Sequence, residues 1–179
     1  MVRVVYIAGV PASGKSTMIK KLRSMLFGTD SAFKFGKCRG IKSENGLYYM
    51  LGVYDGSMFE GTDKLPMDVI NDAIAFVKDL EQKSGRFVVF AEGDRLFNYR
   101  FLNETKATLL LIDASEEELL ARHLVRGDTQ SETFLKSRRS KVENFASKYK
   151  IKRVFNNTEA DSKRILNGIV TFTNKFLNE

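Results

Sequence analysis

A glycine-rich segment near the start of the chain has residue types and spacing suited to binding phosphate. Gly9, Gly14, Lys15 and Ser16 occupy the fixed positions of the pattern G-x-x-x-x-G-K-[ST]. In this pattern the glycines let consecutive backbone N–H groups surround an anion, the lysine reaches the outer phosphates, and the serine hydroxyl is a ligand for Mg²⁺. The sequence therefore predicts a nucleoside triphosphate site with Mg²⁺. The predicted nucleotide contacts in this loop are Gly9, Pro11, Ala12, Ser13, Gly14, Lys15, Ser16 and Thr17.

The residues on either side supply the structural context that such a loop requires. The apolar run Val2–Ala8 precedes the loop and is typical of a buried strand. Apolar residues at helical spacing follow the loop, beginning with Met18 and Ile19. The loop is thus predicted to join a buried strand to the N-terminus of a helix, where backbone N–H groups and the helix dipole favour an anion.

A second set of charged residues follows another apolar strand, Phe87–Ala91. Glu92, Asp94 and Arg95 come directly after it and are therefore predicted to lie at its carboxyl end. Mg²⁺ needs oxygen ligands, and a hydroxyl acceptor needs a base, so one carboxylate is available for each purpose. We interpret Glu92 as the catalytic base or a metal ligand. The alternative for Asp94 and Arg95 is a simple ion pair on the surface.

Four arginines form the third candidate group. Arg122 and Arg126 are four residues apart and share one helix face, and Arg138 and Arg139 follow a short polar stretch. Guanidinium groups suit the negative charge that develops on a transferred phosphoryl group. The region of about 122–140 is therefore predicted to be a small helical lid, with Arg126 catalytic and Arg122 a nucleotide contact. Ordinary solvated helix charge is the alternative.

Strands and helices alternate along the whole chain, without repeats or an evident linker. This order predicts one α/β domain over residues 1–179, a three-layer sandwich with a mostly parallel sheet and its ligand at the carboxyl ends of the strands. The predicted strands are Val2–Ala8, Phe33–Lys42, Leu47–Tyr54, Phe87–Ala91, Thr108–Ile112 and Lys152–Phe155. The second and third flank an Asn-Gly turn, which predicts an inserted β-hairpin. The predicted helices begin at Lys15, Pro66, Ser115, Ser131 and Ser162.

The formal net charge of +7 is concentrated in two stretches. Residues 15–42 and residues 136–153 each hold eight lysines or arginines against a single acidic residue. Such stretches are typical of contact with a polyanion, and we interpret them as a DNA-binding surface. Solvated faces are the alternative. The single cysteine, Cys38, excludes an intrachain disulfide, and with no apolar span in the sequence this predicts a reducing, cytoplasmic location.

These motifs together resemble the P-loop kinases related to nucleoside and nucleotide kinases. Glu92–Arg95 is similar to the acidic-then-arginine segment after the third strand of those enzymes. The resemblance implies a P-loop NTPase fold, ATP as the phosphate donor, Glu92 as base or magnesium organiser, and Arg95 as an acceptor contact. Asn156–Glu159 resembles their adenine-bordering loop, which implies a contact from Asn157. The Glu-Gly-Asp-Arg order, however, departs from the Asp-Gly-Phe-Pro-Arg of adenylate-type kinases, which speaks against a free monophosphate acceptor.

A narrower resemblance is to bacteriophage kinases that phosphorylate 5-hydroxymethyluracil within DNA. It rests on the segments Gly9–Thr17, Gly61–Asp63, Glu92–Asn98 and Arg138–Asn144. It implies ATP-dependent transfer to the hydroxymethyl group of a base, in an infected cell's cytoplasm. The predicted acceptor contacts are Asp55, Asp63, Asp94, Arg95, Arg138 and Arg139.

Several alternatives remain open from the sequence. Asp55 and Asp63, in the polar loop 54–63, are equally suited to activating the acceptor in place of Glu92 or to forming turns. A kinase of free nucleosides or deoxynucleotides is the second functional hypothesis. A nucleotide-binding module without catalysis is the third, because the standard aspartate after an apolar strand was not identified.

Overall fold

A twisted sheet of seven strands forms the centre of the molecule. The computed structural model describes residues 1–56, 60–127 and 130–179, and only the backbone of Arg126. Within these residues the strands are β1 (Val2–Gly9), β2 (Asp30–Phe35), β3 (Cys38–Ser43), β4 (Tyr48–Leu51), β5 (Phe87–Glu92), β6 (Thr108–Asp113) and β7 (Val154–Phe155). They lie in the order β2-β3-β4-β5-β1-β6-β7. The five strands from β4 to β7 in this order run parallel, which confirms the predicted mostly parallel sheet.

Helices cover both faces of the sheet, as predicted for a three-layer sandwich. They are α1 (Lys15–Leu26), α2 (Ile70–Gln82), α3 (Tyr99–Glu104), α4 (Glu116–Arg126), α5 (Glu132–Tyr149) and α6 (Glu159–Asn178). Alternation along β1 divides the core, because Val4 and Tyr6 pack with α2 and α5 while Val5 and Ile7 pack with α1 and α6. In the described part of the chain, no helix combines the length and apolar character needed to cross a membrane.

The predicted β-hairpin at the Asn-Gly turn is formed by β3 and β4, which pair antiparallel, and β2 extends it to three antiparallel strands. The segment Phe33–Lys42, predicted as one strand, turns at Gly36 and forms β2 and β3. Gly36 has a φ of 57°, and the backbone N–H of the next residue, Lys37, donates a hydrogen bond to Asp72 Oδ2 at 3.2 Å. The turn is therefore specified by a contact with α2, which local sequence does not display. The next strand, β4, pairs in parallel with β5 and belongs to the main sheet.

Two helix boundaries differ from the prediction, and one helix is additional. α2 begins at Ile70, four residues after Pro66, and α3 was not predicted. α3 has six residues, too few to show a helical period, although Asn98 accepts a capping hydrogen bond from the Phe101 N–H at 2.9 Å. α6 begins at Glu159, three residues before the predicted Ser162, because Thr158 and Asp161 form a capping box.

The carboxyl ends of the parallel strands bring the predicted chemistry together. β1 ends at Gly9 and β5 at Glu92, and the two strands are direct neighbours in the sheet. On the other side of β1, β6 ends at Asp113. Parallel neighbours end at one edge of the sheet, so the phosphate loop and Glu92 share that edge, where open α/β sheets bind their ligands.

Candidate active site

The glycine-rich loop has the backbone geometry of an anion cradle. Gly14, with a φ of 96°, immediately precedes α1, and Ala12 also has a positive φ, of 63°. The Ser13 N–H and the Lys15 Nζ both donate hydrogen bonds to the Val10 carbonyl, at 3.3 and 2.8 Å. The side chain of Lys15 thus lies over the loop that it is predicted to serve.

The loop fits a bound phosphate group. A Cβ added to Gly9 would lie 1.8 Å from the carbonyl oxygen of Ile112, and one added to Gly14 would lie 2.5 Å from Asn156 Nδ2, so the loop lies too close to its neighbours for side chains. None of the described side chains caps α1, and its first turn holds no acidic residue. The amide groups at this terminus are consequently suited to an anion.

A polar group inside the loop supports the same interpretation. The hydroxyl of Ser13 is buried and has no hydrogen-bond partner among the described residues. Buried hydroxyls are normally paired, so an unpaired one in a binding loop requires an explanation such as a ligand. Ser16 is exposed in the first turn of α1 and is available to a magnesium ion held mainly by phosphate oxygens. The described residues contain no group of three or more acidic, histidine or cysteine side chains that would hold a metal alone.

A cleft of about 270 Å³ adjoins the loop and is suited to the base of the nucleotide. Arg122 borders it and donates hydrogen bonds to the carbonyls of Ala12 at 3.3 Å and Asn156 at 2.8 Å, joining the phosphate loop to the loop after β7. Asn157 is turned elsewhere, since its Oδ1 accepts a bond from the Ser115 N–H at 2.8 Å. The lining residues are Ala12, Gly14, Thr17, Met18, Lys21, Arg122, Asn156, Ser162 and Leu166. The roles of Arg122 and Asn157 in nucleotide binding remain predictions.

Glu92 is a buried carboxylate at the carboxyl end of β5. It is 3% exposed, and burial raises the pKa of its carboxyl from 4.5 to about 7. The positive charge of Lys15 lowers that pKa, whereas the negative charges of Asp63 and Glu60 raise it. Glu92 is paired with Ile7 in the register of β5 and β1, two residues before Gly9, which places it next to the phosphate loop. A carboxyl with a pKa near neutrality is suited to taking up a proton at physiological pH.

The turn after Glu92 is held by residues of β1 and of the loop before α2. Thr62 Oγ1 donates a hydrogen bond to the Glu92 carbonyl, and Tyr6 Oη donates one to the Gly93 carbonyl at 2.9 Å. Asp63 Oδ1 accepts hydrogen bonds from the N–H groups of Asp94 at 2.7 Å and Arg95 at 3.0 Å. Asp63 is therefore placed to position the turn that carries Glu92.

The remaining predicted acceptor residues fall into one network and two separate pairs. Asp94 pairs with Arg138 at 2.9 Å and with Lys141 at 3.1 Å, and so joins the turn to α5. Arg95 NH2 donates to the Asp63 carbonyl at 3.0 Å and does not pair with Asp94. Outside this network, Arg139 pairs with Glu116 on α4, and Asp55 pairs with Lys64. Asp63, Asp94, Arg95 and Arg138 are thus brought together, and Arg139 and Asp55 are not.

The predicted lid is only partly described. α4 and α5 flank its centre, where Asp128 and Thr129 lie outside the described residues, as does the side chain of Arg126. The catalytic role predicted for Arg126 and the lid itself remain predictions. Residues 57–59 of the polar loop 54–63 also lie outside the described residues.

An aspartate that the sequence analysis overlooked follows the apolar strand β6. Asp113 is buried at the carboxyl end of that strand, on the opposite side of β1 from Glu92. Its carboxylate accepts hydrogen bonds from Arg153 NH1 at 2.8 Å and from the Ala114 N–H at 2.9 Å. These contacts give Asp113 a structural role at the start of the α4 loop. The argument for a non-catalytic module from a missing aspartate is therefore weakened, because Glu92 and Asp113 both end strands beside β1.

Most cations of the two basic stretches are paired within the protein. In residues 15–42, the pairs are Lys20–Glu60, Lys21–Glu159, Arg23–Asp30 and Lys37–Asp68. In residues 136–153, they are Lys136–Glu132, Arg138–Asp94, Lys141–Asp94, Arg139–Glu116 and Arg153–Asp113. Within the described part of the chain, five of the eight cations of the second stretch are thus paired with acidic residues of α4, α5, β6 and the turn after Glu92. The charge available to an external polyanion is smaller than the sequence alone indicated.

Comparison with known proteins identifies the family to which the chain belongs. The family model described as P-loop Nucleotide Kinase3 matches residues 1–167 of the 179. The chain belongs to this family. As a P-loop nucleotide kinase it combines a nucleotide-binding loop with a kinase fold, which agrees with the geometry above. No curated protein matches the sequence.

Solved structures of two other proteins resemble this P-loop kinase in overall structure. Shikimate kinase from Aquifex aeolicus is 18% identical, with a TM-score of 0.46 and coverage of 96% of both chains. An uncharacterized protein from Eubacterium ventriosum is 12% identical, also with a TM-score of 0.46, and covers 97% of this chain and 98% of its own. Similarity at this level carries no information on activity.

Gly61 provides a first test of the site. Its φ is 91°, and a Cβ at this position would lie 2.3 Å from Glu92 Oε1, so Gly61→Ala must displace the carboxylate. We expect kcat to fall about 100-fold, the scale at which a displacement of about 1 Å acts on a reacting group. The affinity for MgATP, measured by calorimetry, is expected to remain within threefold. Gly46→Ala is the matched control, because that turn glycine also has a positive φ but open space around its Cβ position.

Proposed function

We propose that this P-loop kinase transfers the γ-phosphate of ATP to a hydroxyl group, and that the acceptor is the hydroxymethyl group of 5-hydroxymethyluracil in DNA. The observation that carries the hydroxyl-acceptor part is the buried carboxylate of Glu92 beside Lys15, with a pKa of about 7. The DNA-base part rests on the resemblance of the four short motifs to phage base kinases.

The residues of the phosphate loop supply binding and charge stabilisation. The N–H groups at the start of α1 hold the phosphates, and the Lys15 ammonium meets the charge that develops on the transferred group. Ser16 and the phosphate oxygens would hold Mg²⁺, which would neutralise negative charge on the outer phosphates when it is bound. The cleft beside Arg122 and Asn156 would receive the base of ATP.

Glu92 accepts the proton of the attacking hydroxyl in this proposal. Its burial keeps water away from the carboxylate, and its pKa of about 7 means that the deprotonated form is present at physiological pH and still basic. The bond from phosphorus to the leaving oxygen of ATP breaks as the acceptor oxygen bonds to phosphorus, and the proton passes to Glu92 Oε. Asp63 is the less suited base because its Oδ1 already accepts two backbone hydrogen bonds.

A kinase of free nucleosides or nucleotides is the second candidate function. It is favoured by the internal pairing of the stretch 136–153, which leaves less charge for a polymer than the sequence indicated. The two functions differ in their acceptor, and the donor half of the mechanism is common to both.

Parallel reactions with different acceptors test the proposal. The protein is incubated with γ-labelled ATP and Mg²⁺ in the presence of hydroxymethyluracil-containing DNA, ordinary DNA of the same sequence, or free nucleosides and nucleotides. We expect label in the modified DNA alone. Label in a free nucleoside or nucleotide, with none in DNA, would replace the proposal by the second candidate.

Asp63 gives a prediction that separates charge from hydrogen bonding. Asn at this position keeps an oxygen that accepts the two N–H bonds but removes the negative charge that raises the pKa of Glu92. The enzyme is expected to be active when Glu92 is deprotonated, and therefore more active at higher pH. In Asp63→Asn the pKa of Glu92 is lower, so we expect activity to persist to lower pH than in the unmodified enzyme. Asp63→Ala is the contrast, with a loss of about 2 kcal/mol of stability from the unpaired N–H groups. An unchanged pH profile in Asp63→Asn would remove Asp63 from the environment of the base.

A further inference from the structure

Two like charges face each other across the β2–β3 hairpin. Lys34 and Arg39 are directly opposite in the antiparallel register, and both are exposed. Neither forms an ion pair within residues 1–56, 60–127 and 130–179, in contrast to the neighbouring Lys37, which pairs with Asp68. Like charges directly opposite on adjacent strands are destabilising, with Cβ atoms only about 5 Å apart. With no internal partner, the two cations are suited to binding an external anion, which would relieve this repulsion.

The pair lies at the edge of the sheet where the active site lies. β4 runs parallel to β5 and β1, and β3 runs antiparallel to β4, so the turn between β2 and β3 is at the carboxyl edge. Three strand spacings separate β3 from β1, which places the hairpin tip about 14 Å from the phosphate loop along this edge.

The hairpin is held in place by the core beneath it. The ring of Phe33 stacks on Phe76 of α2 with centroids 4.6 Å apart, and Phe35 contacts the same ring at 5.8 Å. The Lys37 N–H is bonded to Asp72 on α2. The two cations are therefore presented by a fixed element, which reduces the entropy lost when they bind a ligand.

We propose that Lys34 and Arg39 bind the phosphate backbone of the DNA acceptor, several nucleotides from the base that receives phosphate. This inference rests on the proposed function, since it takes DNA as the acceptor. Successive phosphates of one strand advance about 3.4 Å along a duplex, so about 14 Å corresponds to roughly four nucleotides. Two exposed lysines of the second stretch, Lys150 and Lys152, precede β7 at the opposite edge of the sheet and lie outside this path.

The test removes the two charges and compares the result with a matched removal elsewhere. The variant is Lys34→Gln/Arg39→Gln, and the control is Lys150→Gln/Lys152→Gln, which has the same charge change at the opposite edge. Binding of a labelled 20-base-pair duplex is measured by fluorescence anisotropy over a series of salt concentrations. We expect the hairpin variant to bind about tenfold more weakly, with its salt slope smaller by about 1.8 because two phosphate contacts are lost. The control is expected to bind within twofold of the unmodified protein.

Acceptor length gives a second readout in the same variants. With modified oligonucleotides that extend fewer than about three nucleotides from the target base, the hairpin variant is expected to match the unmodified protein in kcat/KM, because they do not reach the hairpin. With longer DNA its KM is expected to rise about tenfold at unchanged kcat, while its Tm is the same or higher because a repulsion is lost. Equal DNA binding and equal KM in both double variants would overturn the docking surface and leave the proposed function intact. Phosphorylation of free nucleotides with no DNA binding by the unmodified protein would overturn the proposed function, and the docking surface with it.

Discussion

Lys15→Ala is expected to lower the rate of phosphoryl transfer about 1,000-fold while the protein remains folded. The Lys15 ammonium lies over the phosphate loop, where its Nζ donates a hydrogen bond to the Val10 carbonyl at 2.8 Å. It is the cation of the loop motif that is predicted to contact the phosphates. Preorganised groups that meet charge developing in the transition state contribute roughly 100- to 1,000-fold each, and a full positive charge belongs at the upper end. The measurement is single-turnover transfer from labelled ATP, with circular dichroism to verify the fold.

Lys78→Ala is the matched control for this prediction. Lys78 is an exposed lysine of α2 paired with Glu104, so its removal changes the net charge equally without touching the loop. We expect its activity to stay within twofold. Transfer by Lys15→Ala at more than a tenth of the unmodified rate would contradict a catalytic phosphate loop. It would favour the third hypothesis, a nucleotide-binding module without catalysis, with the measured phosphoryl transfer coming from another source.

Glu92→Gln is expected to lower kcat by 100- to 10,000-fold, the range of a general base, and to remove the pH dependence near neutrality. In the unmodified enzyme the activity should rise with pH through about 7, because only the deprotonated Glu92 accepts a proton. The amide keeps the shape of the carboxylate but neither its charge nor its basicity. The measurement is kcat between pH 5.5 and 8.5 for both proteins.

The same substitution is expected to stabilise the fold above neutral pH. The pKa of Glu92 is higher in the folded protein than its ordinary value of 4.5, so the folded state binds the proton more tightly. Stability is therefore lost as pH rises from about 4.5 to about 7, by an amount on the order of 3 kcal/mol. Glu92→Gln should melt at a higher temperature than the unmodified protein at pH 8, and the two should converge near pH 4.5.

Asp113→Asn is the control carboxylate for both effects. It ends the strand on the other side of β1 and is equally buried, but its oxygens are bonded to Arg153 and to the Ala114 N–H. We expect it to keep the pH dependence of the unmodified enzyme. If Glu92→Gln retained full activity, the base would have to be sought among Asp55, Asp63 and Asp94.

Much of the fold could be predicted because the decisive signals are local. The phosphate loop, the apolar runs of β1, β5 and β6, and the cap at Ser115 each lie within a few residues of sequence. The β2–β3 turn could not be predicted in the same way, because Gly36 is fixed by Asp72, thirty-six residues away. α3 is too short for a periodic pattern, and a parallel partner for β4 is a property of the whole sheet.

The candidate site was predictable in its residue types and less so in their roles. Glu92 was identified correctly as the carboxylate at a strand end, but Asp63 was indistinguishable from it until its hydrogen bonds to Asp94 and Arg95 were seen. Gly61 belongs to a short motif of low specificity, and the structure gives a steric reason for the glycine. A side chain at this position would occupy the space of the Glu92 carboxylate. Counting charges along the sequence overestimates the positive charge that the second basic stretch offers to a polyanion. The acidic partners of Arg138 and Arg139 lie on segments that are distant in sequence.

The position of the transferred phosphate distinguishes a DNA-base kinase from a kinase of free nucleosides or nucleotides. DNA containing 5-hydroxymethyluracil is incubated with ATP, Mg²⁺ and the protein. It is then digested to mononucleotides by nuclease without phosphatase, so that a phosphate on the base survives, and analysed by mass spectrometry. We expect a hydroxymethyl deoxyuridine nucleotide that carries one additional phosphoryl group on its hydroxymethyl oxygen. This product should be absent when Glu92→Gln or Lys15→Ala replaces the unmodified protein. Unmodified hydroxymethyl deoxyuridine nucleotide, in a reaction where the protein phosphorylates a free nucleoside or nucleotide, would contradict the DNA-base kinase.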